Sequence, residues 1–342
     1  MVAFTDWTRT RAPAWRGRPL LAAAAVLAVT ATSSHAQQGA WRPERTVEIV
    51  VPAAAGGSID ATARLMQKLL QQNRIVEVPV VAVNKTGGGG NIALNYLDQR
   101  AGDGHVLLNS TMSLMTNHIL GLSKVTYTDY TPLAILYGEY MVFVVKPESP
   151  LRSARDVMET LRKDPHALNV AIGVALGGTN HLTVGLVTKS MSVDVKKLKT
   201  VVFQSNAQAL VALMGGHVDI APMSVAAAKA AAAQGQLRII GITSERRVEG
   251  VLSEVPTFKE QGLDVVFSNT RFMIGPRAMA PAQTAYWDAA LERMVQSEEW
   301  RNEVRKNDWA LDYQGSRQSG QRMATLYDQL KGALVDAGLV KE

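Results

Sequence analysis

The chain has 342 residues, 47% hydrophobic and 19% charged, with 27 Gly, 13 Pro, no Cys and a formal net charge of +6. The apolar share excludes a disordered chain, and the absence of cysteine removes disulfide scaffolds, iron–sulfur clusters and thiol catalysis. This length exceeds what one hydrophobic core usually supports, so two domains are expected.

Residues 1–18 carry Arg9, Arg11, Arg16 and Arg18 against a single acid, Asp6. An apolar run from Leu20 to Ala31 follows, then Ser34-His35-Ala36, with small residues at positions −3 and −1 of a cut after Ala36. That order describes a secretory signal peptide over residues 1–36. A dozen apolar residues fall short of the roughly 20 that span a bilayer. The chain is therefore expected to be cleaved after Ala36 and exported, the alternatives being an uncleaved anchor or a buried core helix. The leader carries +3 of the charge and leaves +3 on the mature chain. No basic run interleaves with aromatics, so nucleic acid is not an expected partner.

The mature chain opens with a β-branched strand over 46–51 that runs into Pro52. The loop Ala53-Ala54-Ala55-Gly56-Gly57-Ser58 leads into a helix with Ala61, Leu65, Met66, Leu69 and Leu70 at helical spacing. Ser58 or Asp60 is placed to cap it. A strand over 78–83 precedes Asn84-Lys85-Thr86, the four glycines Gly87 to Gly90, and a helix from Asn91. A turn at 101–104 hands over to a strand at 105–108. Alternation of this kind predicts an α/β unit on a parallel sheet.

Residues 134–145 read as a long strand interrupted at Gly138-Glu139, the expected crossing into a second domain. There the pattern repeats: helix 153–163, strand 169–172, the turn Gly173 to Gly178, and a helix from Thr179. Strand 200–203 precedes helix 206–214, strand 218–221 precedes helix 225–234, and strand 237–243 closes the series. Two short strands, 265–267 and 271–274, form the expected return crossing. Helices over 281–306 and 316–335 complete the chain.

A Gly-rich turn that opens a helix leaves backbone N–H groups unpaired and directed outward, where the helix dipole adds partial positive charge. Glycine also lets that backbone approach a ligand without a Cβ between. Each turn is thus a candidate anion site. Three stand out: Gly56-Gly57-Ser58, Gly87 to Gly90, and Gly177-Gly178-Thr179-Asn180. A fourth junction, Gln204-Ser205-Asn206, lacks glycine but carries polar side chains. The alternative for each is a plain connector. All four fall at carboxyl ends of strands, where open α/β sheets bind ligands.

Enzyme signatures are weak. Gly88-x-Gly90-x-x-Ala93 matches a dinucleotide fingerprint only loosely, and the next strand ends in Leu107-Leu108-Asn109, without an acid for a ribose. No Walker A, G-x-S-x-G or H-E-x-x-H sequence occurs. His105, His118, His166 and His217 fall in structural contexts, and only His181 sits in a candidate turn. No cofactor and no metal are expected. Met112, Met115, Tyr137 and Tyr140 read as core residues.

The ordered set Pro52-x4-Gly56-Gly57-x2-Asp60-x3-Arg64, Asn84-x2-Gly87 to Ile92, and Gly102-Asp103-Gly104-x2-Leu107-Leu108 resembles the Bug-type solute receptors of tripartite tricarboxylate transporters. Gly177-Gly178-Thr179-Asn180-His181-Leu182, the stretch Ala209 to Asp219, Thr243 to Arg247 and Val255 to Gly262 continue it, so the resemblance covers the chain from about Arg45. It implies an α/β, two-domain periplasmic binding protein fold (type II-like), with the ligand in the interdomain cleft and two crossover segments. Domain 1 would comprise 41–140 with 271–342, and domain 2 residues 141–270. It implies a monomer that captures a small organic acid (a mono-, di- or tricarboxylate, aromatic acids included) for membrane transporter subunits. Ala55, Gly56, Gly57, Ser58, Gly88, Gly89, Gly90, Asn91, Ser110 and Thr111 would hold the ligand from the first domain. Thr179, Asn180 and His181 would face them, while Asp60 and Arg64 would be structural. The family's usual Val-Pro-Tyr-x-Gly-Gly is replaced here by Val201 to Asn206, so Ser205 and Asn206 are expected to read a distal polar group of the ligand. Two alternatives remain at this point, a receptor for a membrane signalling protein and a periplasmic enzyme.

Overall fold

The computed structural model describes residues 41–56, 58–173 and 176–340. The expected signal peptide and Gly57 lie outside the described residues.

Strand β1 (Val47–Val51) leads into helix α1 (Ser58–Gln72), and β2 (Val80–Asn84) leads through a short 3-10 turn into α2 (Asn91–Asp98). Strand β3 (Val106–Thr111) is followed by α3 (Ser113–Ile119), and β4 spans Thr131–Val145. Then come α4 (Ala154–Lys163), β5 (Asn169–Gly173), α5 (Thr179–Ser190), β6 (Lys199–Phe203), α6 (Asn206–Met214), β7 (Ala221–Ser224), α7 (Val225–Ala233) and β8 (Arg238–Ile242). The return strand β9 (Ser268–Gly275) precedes α8 (Pro281–Val295), α9 (Glu298–Lys306), the short β10 (Trp309–Ala310) and β11 (Gln314–Gly315), and α10 (Ser316–Asp336).

The sheet is mixed rather than wholly parallel. β2, β1 and β3 are parallel, while β9 joins β3 and β4 in antiparallel register. β4 changes partners along its length. Residues 131–140 pair with β9, and residues 141–145 pair with β7 and β8. In that second half Met141, Phe143 and Val145 join one apolar cluster, whereas Val142 and Val144 join another. A strand buried on both faces reads as a continuous apolar run, which is how this stretch appears in the sequence.

Three expected features differ in the structure. β4 is not interrupted at Gly138-Glu139; Gly138 is needed because a Cβ there would overlap Ser268 Oγ on the neighbouring strand. The two short strands expected at 265–274 are one strand starting at Ser268. The expected helix 281–306 is two helices, because Ser297 leaves the first and caps the second, its Oγ accepting from the Trp300 N–H at 3.3 Å. Helix α3 and strands β10 and β11 were not expected from the sequence at all.

Strand β4 and the segment leading into β9 are tied together by one hydroxyl. Thr243 Oγ1 accepts from the Met141 N–H at 2.9 Å and donates to the Phe267 carbonyl at 2.5 Å. Thr243 is fully buried.

Candidate functional site

A cavity of about 440 Å3 opens where β4 and β9 run side by side. Its floor carries Glu139, Met141, Asn269 and Arg271; Ser58, Thr111, Ser113 and Thr116 form one wall, and Thr179, Asn180, Asn206 and Ser224 the other. The walls are strand-to-helix junctions, at β3–α3, β5–α5, β6–α6 and β7–α7, together with the start of α1. The first turns of α1, α5, α6 and α7 therefore border one space, each with unpaired N–H groups and a positive dipole end.

The floor is built by strand register. Glu139 pairs with Asn269 and Tyr137 with Arg271, and alternation puts all four on one face of the ribbon. Glu139 and Arg271 are diagonal neighbours there. Arg271 Nη2 donates to Glu139 Oε2 at 2.6 Å, and Asn269 Nδ2 donates to the same oxygen at 3.2 Å. Both charged side chains are about 95% buried. Burial alone would push the Arg271 guanidinium down, but the adjacent Glu139 carboxylate reverses this and the net shift is upward. Arg271 Nε and Nη1 make no hydrogen bond among the described residues. The Tyr137 phenol beside it is pushed up to about 12 by burial; its hydroxyl lies 2.6 Å from Thr62 Oγ1, and its ring stacks on Trp309.

One wall is held by Thr111, whose Oγ1 lies 2.8 Å from Ser113 Oγ and accepts from the Ser113 N–H. Asn109 Nδ2 donates to the Ile59 carbonyl at 2.9 Å and fixes the first turn of α1 to β3. On the opposite wall Asn180 Nδ2 donates to Asn206 Oδ1 at 2.6 Å and to the Gly173 carbonyl at 3.3 Å.

Of the residues expected at a site, the structure brings Ser58, Thr111, Thr179, Asn180 and Asn206 to the cavity. Ala55 and Gly56 are exposed and do not line it, and the Gly56 N–H is taken by Asp60 Oδ2 at 2.9 Å. Gly88, Gly89 and Gly90 all have positive φ and form a turn against α3, where the Gly89 carbonyl accepts from Asn117 Nδ2; none of the three lines the cavity. Asn91 Nδ2 donates to the Leu122 carbonyl. Ser110 is buried in β3. Ser205 caps α6 through Gln208, and Asn206 is the next residue. His181 is not in a turn but in the first turn of α5, where its Nδ1 accepts from the Gly177 N–H at 3.0 Å. Burial pushes its pKa down.

Glu139, Asn269 and Arg271 were missed. Their signal is a charged residue of each sign inside otherwise apolar strands, because a buried charge needs a partner.

Asp60 and Arg64 support the loop ahead of α1. Asp60 Oδ2 accepts from Arg64 Nε at 2.9 Å, and Asp60 Oδ1 accepts from Asn84 Nδ2, which also donates to the Ala53 carbonyl. The Arg64 guanidinium, with Gly56 and Asn84, outweighs burial and holds the Asp60 carboxyl down at about 2.

Residues 62–337 match the family model described as tripartite tricarboxylate transporter family receptor. The chain belongs to that family. It is 26% identical over 328 residues, 94% of this chain and 96% of the relative, to a UPF0065 protein encoded in a gbd 5' region of Cupriavidus necator. The structure resembles a TctC solute binding protein from Polaromonas, with a TM-score of 0.74 and 24% identity, covering 86% of this chain and 99% of that one. An R. palustris protein solved with adipate gives a TM-score of 0.73 at 23% identity, covering 86% and 98%. The fold is thus the two-domain α/β fold of periplasmic binding proteins. Among the described residues no cluster of His, Asp and Glu could hold a metal ion, and no helix is long and apolar enough to cross a membrane.

Proposed function

We propose that this TctC-family receptor captures a small carboxylate-bearing organic acid in the cavity above β4 and β9 and presents it to the membrane subunits of a tripartite transporter. The observation that carries the reading is the convergence of four helix N-termini and a ring of hydroxyl and amide side chains on one 440 Å3 space. That volume suits a small metabolite, and a protein of the same fold has been solved with a dicarboxylate, adipate. Receptors of this family are periplasmic, in keeping with a leader cleaved after Ala36.

The reading includes movement. The two bodies are taken as 41–140 with 271–342, and 141–270, hinged where β4 changes partners and where β9 begins. Ligand contacts from both walls would favour the closed arrangement, and water leaving the cleft would strengthen each N–H to carboxylate bond. No chemistry on the ligand is part of the reading, in keeping with a family of transport receptors.

The test is mass spectrometry of small molecules released from the purified protein, followed by a thermal-shift panel of organic acids. A ligand at 100 times its Kd adds about 2.7 kcal/mol of stability. A panel in which no organic acid raises the melting temperature of stripped protein defeats the reading.

A further inference from the structure

The acid on the cavity floor has one oxygen with nothing to bind. Glu139 Oε2 takes both Arg271 Nη2 and Asn269 Nδ2. Oε1 has no hydrogen-bond partner among the described residues, yet it is not sealed from solvent, and Glu139 borders the cavity. On the wall, Asn206 Oδ1 is occupied by Asn180, which leaves the Asn206 amide nitrogen without an acceptor among the described residues.

Among the described residues the cavity therefore presents a bare, solvent-reached acceptor on its floor and a bare donor on one wall, while the unpaired Arg271 Nε and Nη1 are sealed from solvent. A methylene group satisfies neither. An ammonium only donates, and Arg271 already neutralises the Glu139 charge that would attract it. A hydroxyl both donates and accepts, as do the Thr111 and Ser113 hydroxyls around it.

Resting on the receptor reading above, we propose that the ligand is a hydroxylated organic acid whose hydroxyl donates to Glu139 Oε1, and that Glu139 separates it from the unsubstituted acid. Placing that hydroxyl also fills a site that an unsubstituted chain would leave buried and unpaired. Discrimination of this kind is strong, because the lost hydrogen bond is to a charged group.

The test is calorimetry of the mature, ligand-stripped protein with matched acids: succinate, malate and aspartate, then glutarate, 2-hydroxyglutarate and glutamate. Within at least one series the hydroxy acid should bind about ten- to a hundredfold tighter than its unsubstituted partner. Glu139→Gln should bring that ratio most of the way to unity. Because this variant leaves Arg271 without its carboxylate, Glu139→Asp provides a second probe; it keeps the charge, withdraws the carboxylate by one methylene and should lower the ratio too. Equal affinity for hydroxy and unsubstituted acids that both bind overturns the proposal and leaves the receptor reading standing. Tightest binding by the amino acids overturns it in favour of a cation, and a ratio untouched by either variant removes Glu139 from the role. Binding by none of the six, where other carboxylates bind, also overturns it; binding by no carboxylate at all defeats the receptor reading itself.

Discussion

Asn180 and Asn206, at the first turns of two different helices, are joined by a 2.6 Å side-chain hydrogen bond over the Cα of Gly173. A methyl at position 173 would overlap Asn206 Oδ1 and lie 2.8 Å from Asn180 Nδ2. Backbone strain is not the reason for glycine here, since Gly173 is not among the residues with positive φ. Gly173→Ala should therefore push the two amides apart, weakening binding of the ligand at least about tenfold, while overpacking costs about 1–3 kcal/mol of stability. Calorimetry with a known ligand and denaturant unfolding measure the two separately. Unchanged affinity would show that the amide pair does not face the ligand.

Arg271 and Glu139 answer for each other's burial. Removing one charge leaves the other desolvated and alone, a change that costs about 3–5 kcal/mol in buried pairs. Arg271→Gln should lose stability on that scale. The double variant Glu139→Gln/Arg271→Gln should recover more than half of the loss, because two neutral amides can pair where one charge cannot. Urea unfolding of the wild type, both single variants and the double completes the cycle. Strictly additive losses would mean that the two side chains stabilise the floor independently.

The sequence shows the strand, Gly-rich turn and helix grammar in both halves because local chemistry dictates it: β-branched runs, glycine at turns, polar caps. The helices expected over 153–163 and 206–214 form there, capped by Ser153 and Ser205. What stayed hidden depends on pairing across the chain. Glu139 and Arg271 are 132 positions apart, and only the β4–β9 register puts them on one face. Gly88 to Gly90 look like an anion loop locally, yet in the fold Gly89 is bonded by Asn117, a residue of a helix the sequence did not announce. Ser297 breaks a helix that is otherwise continuous in pattern, because a single capping hydroxyl weighs more than the propensity of its neighbours.

Thr243 ties β4 to the segment ahead of β9 with one hydroxyl, accepting from Met141 and donating to Phe267. Thr243→Val keeps the shape and removes both bonds, leaving a buried N–H and a carbonyl unpaired. The expected loss is about 1–3 kcal/mol. Thr243→Ser should restore most of it, since the hydroxyl returns with only a methyl missing. Thermal melts of the three proteins decide the matter, and a valine variant as stable as wild type would remove the clamp.

Asp60 makes stability depend on acid. Its carboxyl titrates at about 2 in the fold against an ordinary 3.8, so between those values the unfolded chain binds more protons than the native one. Its contribution is complete above about pH 4 and is lost as pH falls from about 4 towards about 2. Half-exposed Arg64 is screened by salt, so the share owed to that ion pair shrinks at high ionic strength. Asp60→Asn should be less stable than wild type at neutral pH and should decline less steeply through that window. Denaturant unfolding of both proteins across the acid range is the measurement, and parallel curves would count against Asp60 as the source.

Ser205 and Asn206 are adjacent, but the structure gives them different work. Ser205 Oγ accepts from the Gln208 N–H at 3.2 Å and so caps α6, whereas Asn206 borders the cavity. Ser205→Ala removes a cap and should cost about 0.5–2 kcal/mol of stability with little change in affinity. Asn206→Ala should do the reverse. It leaves α6 capped, removes the acceptor of Asn180 Nδ2, and deprives the ligand of an amide on that wall, weakening binding about tenfold or more. Melting temperature and calorimetric affinity, measured on each single variant, should move on opposite axes. If both variants lose affinity alike, the cap itself shapes the site and the division between the two residues is wrong.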